Sequence, residues 1–194
     1  MMELHIFTEE PSIKNVFDVL LPQILPEGAS FVVHPHQGKQ DLEKALQSTI
    51  PSISRIPDVK ILITRDQDED NCKELKNKLL DIMKDRCSCD YFVRIVCKEL
   101  ESWFLGDISA IEKAYPRFKK QQYMSKTKFR NVDSIVTPSE YLKKILPDYS
   151  NRKSLPKLET SRKIAPFMNI NDNKSTSFNH TINAIKQLIN DLHG

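Results

Sequence analysis

Residues 59–72 read VKILITRDQDEDNC, and this stretch decides the fold. Val59 to Thr64 is apolar apart from Lys60 and rich in β-branched residues, the pattern of a strand covered on both faces. It runs straight into Asp66, Asp68, Glu69 and Asp70. From Asn71 to Lys84, Leu75, Leu79, Leu80, Ile82 and Met83 recur at helical spacing. A buried strand, an acidic turn and an amphipathic helix make half of a βαβ unit, and such units build parallel sheets.

The same alternation extends in both directions. Met2–Thr8 reads as a strand, and a helix over about 13–24 follows with Ile13, Val16, Phe17, Leu20 and Leu21 inward. Ser30–His34 is a second strand and Gln40–Ser48 a helix. Tyr91–Cys97 is a fourth strand, and helical sequence begins near Glu99. The expected class is α/β, a mostly parallel Rossmann-like sheet flanked by helices over 1–116. Residues 117–137 are basic and polar and read as a long loop. Helices follow at about 138–146, 157–167 and 176–192, so 117–194 is expected as a helical extension packed on the core within a single domain.

The bulk composition agrees with a folded chain: 194 residues, 39% hydrophobic and 28% charged. No apolar run is long enough for a membrane span, and the acidic start MMELHIFTEE is not a signal peptide. A cytoplasmic protein is expected. Cys72, Cys87, Cys89 and Cys97 form no disulfide framework. Cys87-Ser-Cys89 lacks the spacing and the second pair of a zinc knuckle, and Cys72 and Cys97 read as small core residues. The net charge of +3 is mild, but basic residues crowd Lys113–Lys163 while most carboxylates precede them. That asymmetry suits a nucleic-acid partner, with phosphates on the basic side and a cation on the acidic side, or else a solvated basic surface.

Ligands of such folds bind beyond the carboxyl ends of the strands, here Glu9, His34, Asp66 and 98–101. Three of the four carry acids. Mg²⁺ takes oxygen ligands, commonly one or two carboxylates with water and phosphate. Asp66 and Asp68, two residues apart on a backbone leaving a strand, can face one point, and Glu9 can join them. The competing reading makes the acids a helix cap or a complement to the helix dipole. We divide the roles: Asp66 and Asp68 to the metal, Asp70 to the cap with a supporting part behind the ligands, Glu69 to neither. In KELESWFLGD (98–107), Leu100, Trp103, Phe104 and Leu105 define an apolar arc that includes Glu101 and excludes Glu99. Glu101 then needs a function or an arginine partner, Glu99 reads as solvated surface, and Trp103 as core. His34-Pro35-His36 offers two imidazoles but no third ligand. Gly38-Lys39 lacks the spacing of a phosphate loop, and no nucleophile motif is present.

These residues resemble a known family. TEEPSIKNVFDVLLPQIL (8–25), RDQDEDNCKELKNKL (65–79), KELESWFLGD (98–107), FRNVDSIVTP (129–138), KLETSRKIAPFMNI (157–170) and NKSTSF (173–178) together resemble the Toprim-like family of small uncharacterised bacterial proteins, often encoded beside an AAA-type ATPase. The resemblance implies a Toprim-like fold and Mg²⁺ (or Mn²⁺) held by Glu9, Asp66 and Asp68. It implies Glu101 and Lys157 as catalytic residues, with Ser175 and Ser177 supporting or phosphate-binding. The chemistry implied is that of a nuclease or other phosphoesterase, similar to nucleases of the overcoming-lysogenisation-defect type. An ATPase partner and phage defence come with it. The family pattern has glycine where this chain has Glu10, a departure expected to alter the loop or weaken metal binding. A non-catalytic module that binds nucleic acid or docks on an ATPase is the alternative, and a homo-oligomer is compatible with either.

Overall fold

In the computed structural model, which describes residues 1–190, four parallel strands lie in the order β2-β1-β3-β4. They are β1 (Glu3–Thr8), β2 (Ser30–Pro35), β3 (Val59–Asp66) and β4 (Tyr91–Val96). Apolar side chains alternate between two cores. Leu4, Ile6, Leu62 and Val96 join one cluster, and Phe7, Ile61, Ile63, Val93 and Ile95 join the other. Because both faces are covered, the central strands read as unbroken apolar runs.

Helices α2 (Lys39–Ser48), α3 (Ile50–Ile53) and α4 (Cys72–Lys84) cover the second face through Leu42, Leu46, Ile50, Leu75, Leu79 and Met83. The first face carries α1 (Ser12–Leu20), α5 (Glu101–Gly106), α6 (Ile108–Ala114), α7 (Pro138–Ile145), α8 (Lys157–Ile164) and α9 (Thr176–Asn190). Phe129, Leu142, Ile164 and Phe178, all beyond residue 117, are buried in the same cluster as Leu4 and Ile6. The 117–137 stretch is not featureless: it holds three short 3-10 turns that bury Phe129 and Val132. The helix expected from Glu99 starts at Glu101 and breaks at Gly106-Asp107, where Asp107 accepts the Ala110 amide and caps α6. The expected end of the last helix, 191–192, lies outside the described residues.

Two expectations at the β3–α4 turn are corrected. The cap of α4 is Asn71, whose side chain accepts from the amides of Lys73 (3.0 Å) and Glu74 (3.3 Å), and not Asp70. Asp70 is drawn aside by Arg65, 3.1 Å away. Cys72 is exposed, not core, because it opens the helix on its solvent side, and Cys97 is only partly buried.

The chain leaves β1 toward β2 on one side and reaches β3 and β4 on the other. The strand order therefore reverses between β1 and β3, and crevices form at such a point, beyond the carboxyl ends. Thr8 pairs with Thr64, so the register carries Glu9 toward Arg65 and Glu10 toward Asp66 as the two strands end.

Candidate functional site

Asp66, the last residue of β3, is buried, and its Oδ2 accepts the Leu100 amide at 3.3 Å. Burial and repulsion from Glu10 and Glu101 push its pKa well above the usual carboxylate range, against the pull of Lys157. Glu9, just past β1, is also raised, by burial and by Asp68, with Arg65 opposing. Asp68 is exposed, and burial of its remaining surface and repulsion from Glu99 raise it. Its backbone is left-handed at φ 51°, as is that of Lys98 at φ 59°. The two residues clasp each other: the Asp68 amide donates to the Lys98 carbonyl at 2.8 Å, and Lys98 Nζ to the Asp68 carbonyl at 3.4 Å. Two non-glycine residues in this region store strain, which persists where surrounding contacts hold it.

Glu101 lies in the apolar arc read from the sequence and is 1% exposed. Neither carboxylate oxygen has a hydrogen-bond partner, and Lys157 Nζ stands 3.7 Å away. Burial raises its pKa to about 8, with Lys157 opposing and Glu10 and Glu99 adding repulsion. Lys157, at the start of α8, also lies 3.2 Å from Glu10 and 3.7 Å from Glu99. Burial alone lowers a lysine pKa, but Glu101, Glu10, Glu99 and Asp66 outweigh it and raise that of Lys157. This lysine is a fixed ammonium inside a carboxylate cluster.

Three participants were not legible as such. Glu10, the residue in place of a glycine, reaches into the cluster and also accepts from Ser12 Oγ at 2.6 Å. Glu99 is not a solvated surface residue: its Oε2 accepts the Ser139 amide at the start of α7, and Lys157 sits on its other oxygen. Arg65 is 3% exposed and lies 3.4 Å from Glu9, 2.9 Å from Glu43 and 3.1 Å from Asp70. It ties β1, α2 and the acidic turn together from beneath. Arg65 follows an apolar run, which is a signal that its guanidinium is buried, but the partners it finds are set by the fold.

The proposed supporting serines sit elsewhere. Ser175 is fully buried and donates to Asp133 at 2.7 Å, so it is not placed to meet a phosphate. Ser177 accepts from Trp103 Nε1 at 3.0 Å and donates its amide to Asp133. They lock α9 onto α5. Close packing there also fixes Gly106, where a Cβ would fall 2.0 Å from Asn173 Oδ1. His34 bonds His5 at 2.9 Å and His36 bonds the Thr8 carbonyl at 3.0 Å, both stacked on Phe7.

Among the described residues no three His, Cys, Asp or Glu side chains are gathered tightly enough to hold one ion. The donor set nevertheless fits a hard divalent cation. It is all carboxylate oxygen, Glu9 Oε2 and both oxygens of Glu101 lack hydrogen bonds, and burial, then repulsion from neighbouring carboxylates, raises Asp66, Asp68 and Glu101. A cavity of about 560 Å³ opens beside it, lined by Lys39, Asp68, Lys98, Glu99 and Ser139 among others.

Fold and site together define a parallel α/β protein with an acidic centre at its topological switch point. Residues 8–186 match the profile of a domain of unknown function (DUF4276), and the chain belongs to that family. Comparison with curated proteins and with solved structures returns no match.

Proposed function

We propose that the chain is a Toprim-like, Mg²⁺- or Mn²⁺-dependent phosphodiesterase, a nuclease acting on DNA or RNA. The observation that carries this reading is the carboxylate cluster at the ends of β1 and β3, with Asp66 and Glu101 raised first by burial and then by neighbouring carboxylates around one lysine. Such perturbed groups gather where charge is to be bound or moved. Glu9, Asp66 and Asp68 are the residues that would hold the cation. When bound, it would neutralise a phosphodiester and acidify a water molecule. Lys157 keeps its proton throughout the neutral range and is half-buried, so it can bind a phosphate oxygen and stabilise charge that develops there. Glu101 is shielded from solvent, so it acts through Lys157 and holds that ammonium in place.

Cations on rings, Lys126 over Tyr123 and Lys128 over Tyr141, and a second cavity at Tyr141, Lys143 and Lys144 favour a nucleic-acid strand along this side. Part of the basic surface is already paired, Arg117 with Asp148 and Lys163 with Glu159. Cytoplasmic location, an AAA-type ATPase partner and a part in phage defence complete the proposal. No helix among the described residues is long and apolar enough to cross a membrane.

The test is incubation of the purified protein with single- and double-stranded DNA and RNA, with and without Mg²⁺ or Mn²⁺, beside an Asp66→Ala/Asp68→Ala variant. Metal-dependent cleavage lost in the variant is expected. Equal cleavage by both proteins refutes the assignment. One observation favours a second reading, a non-catalytic binding or ATPase-docking module: Lys157 already stands among the acids as an internal counter-ion. Metal-independent nucleic-acid binding that survives the variant would select it.

A further inference from the structure

The loop between α4 and β4 carries a feature the acidic centre does not use. Cys87 and Cys89 place their sulfurs 3.6 Å apart, and both side chains are partly buried. Their shared orientation has a cause. Ser88, between them, donates to the Ser54 carbonyl at 2.9 Å and lies 3.2 Å from the Ser54 hydroxyl. That anchors the middle residue and leaves the sulfurs of its two neighbours facing each other. Both side chains pack against the edge of the second core.

We propose that Cys87 and Cys89 are a dithiol site that closes to an intramolecular disulfide by exchange with a low-molecular-weight disulfide. Cys87 is the attacking sulfur. The hydrogen bond from Cys89 lowers its pKa to about 7 against the cost of burial, and the Cys89 backbone and Ser54 hydroxyl assist. Cys89 is pushed up, first by that same hydrogen bond and then by burial, so it keeps its proton until the second step. Cys97, raised to about 11 mainly by burial, is inert by comparison.

The steps balance. The Cys87 thiolate attacks one sulfur of the small disulfide, forming a mixed disulfide and releasing one thiolate. Cys89 loses its proton to solvent and attacks the Cys87 sulfur, forming the Cys87–Cys89 bond and releasing the second thiolate. The protein loses two electrons and two protons, and the small disulfide becomes two thiols. The amide of Cys87 is tied to the Met83 carbonyl at 2.9 Å and the Asp90 carbonyl accepts from Ile61 at 3.0 Å, so the loop is held on both sides while the sulfurs close. The loop adjoins the amino ends of the strands, so the site is independent of the acidic centre.

The test treats the full chain with oxidised glutathione near pH 8, quenches with acid, alkylates free thiols and digests with trypsin. Cleavage after Arg86 and Arg94 leaves both cysteines in one peptide, 87–94. The expected product is that peptide lighter by two hydrogens and unalkylated, formed ahead of any change at Cys72 or Cys97. Cys89→Ser should trap the glutathione adduct on Cys87, and the pH midpoint for its alkylation should move upward. Cys87→Ser should abolish the adduct in this peptide, with each variant's fold checked by circular dichroism. A wild-type peptide that stays reduced, or keeps a glutathione adduct without closing, overturns the proposal. So does faster oxidation of Cys72.

Discussion

Replacing Glu101 by glutamine should stabilise the protein, and do so in a pH-dependent way. Glu101 is buried, has no hydrogen-bond partner, and holds its proton to about pH 8 where an ordinary glutamate titrates at 4.5. At roughly 1.4 kcal/mol per pH unit, ionised Glu101 costs the folded state on the order of 5 kcal/mol above that range. The folded state keeps the proton to higher pH than the unfolded chain, so this group makes stability fall as pH rises from 4.5 to about 8. Glutamine removes the cost. It also deprives Lys157 of one carboxylate neighbour and adds an amide to satisfy, which together return about 2 kcal/mol. The expected net gain is about 3 kcal/mol at about pH 9, a rise in Tm of roughly 6–12 °C for a chain of this size. At about pH 5, where the folded wild type is already protonated, the gain should vanish. Calorimetry of both proteins at the two pH values, without divalent metal, reads this directly. An identical Tm difference at both, or a variant less stable at the higher pH, refutes the reasoning.

Arg65→Gln should be strongly destabilising, by about 3–5 kcal/mol in urea melts, because Glu9, Glu43 and Asp70 lose their shared cation. Arg65→Lys should fall between, since a point charge cannot reproduce the fork. At the turn, Asn71→Ala should cost about 1 kcal/mol as a lost cap. Asp70→Ala should cost less, about 0.5 kcal/mol, because its partly exposed pair with Arg65 is the interaction lost. A larger loss at Asp70 than at Asn71 in the same melts would reverse the cap assignment.

The strands and their ends were readable because burial on both faces leaves an unbroken apolar run, as at Ile61–Ile63, and the strand order then brings the ends of β1 and β3 together. Glu101 was readable because helical spacing alone sets it in the arc of Leu100 and Phe104. What failed depends on distant partners. Asn71 and Asp70 are equally good caps by type, and only Arg65 decides between them. Glu99 looked solvated because Lys157 and the start of α7 reach it from far along the chain. Glu10 read as a defect in a glycine position until α8 brought Lys157 against it. The need for glycine at 106 depends on the approach of Asn173, which no local pattern announces.

The central claim is that the acids at the ends of β1 and β3 bind a divalent cation. Titration calorimetry of Mn²⁺ and Mg²⁺ into the wild type and Asp66→Asn/Asp68→Asn, in two buffers of different ionisation heat, tests it most directly. The account predicts binding by the wild type with release of protons, since a cation opposes the burial and carboxylate repulsion that raise the pKa of Asp66, and no binding by the variant. A wild type that takes up neither metal, or a variant that binds as well, would contradict it.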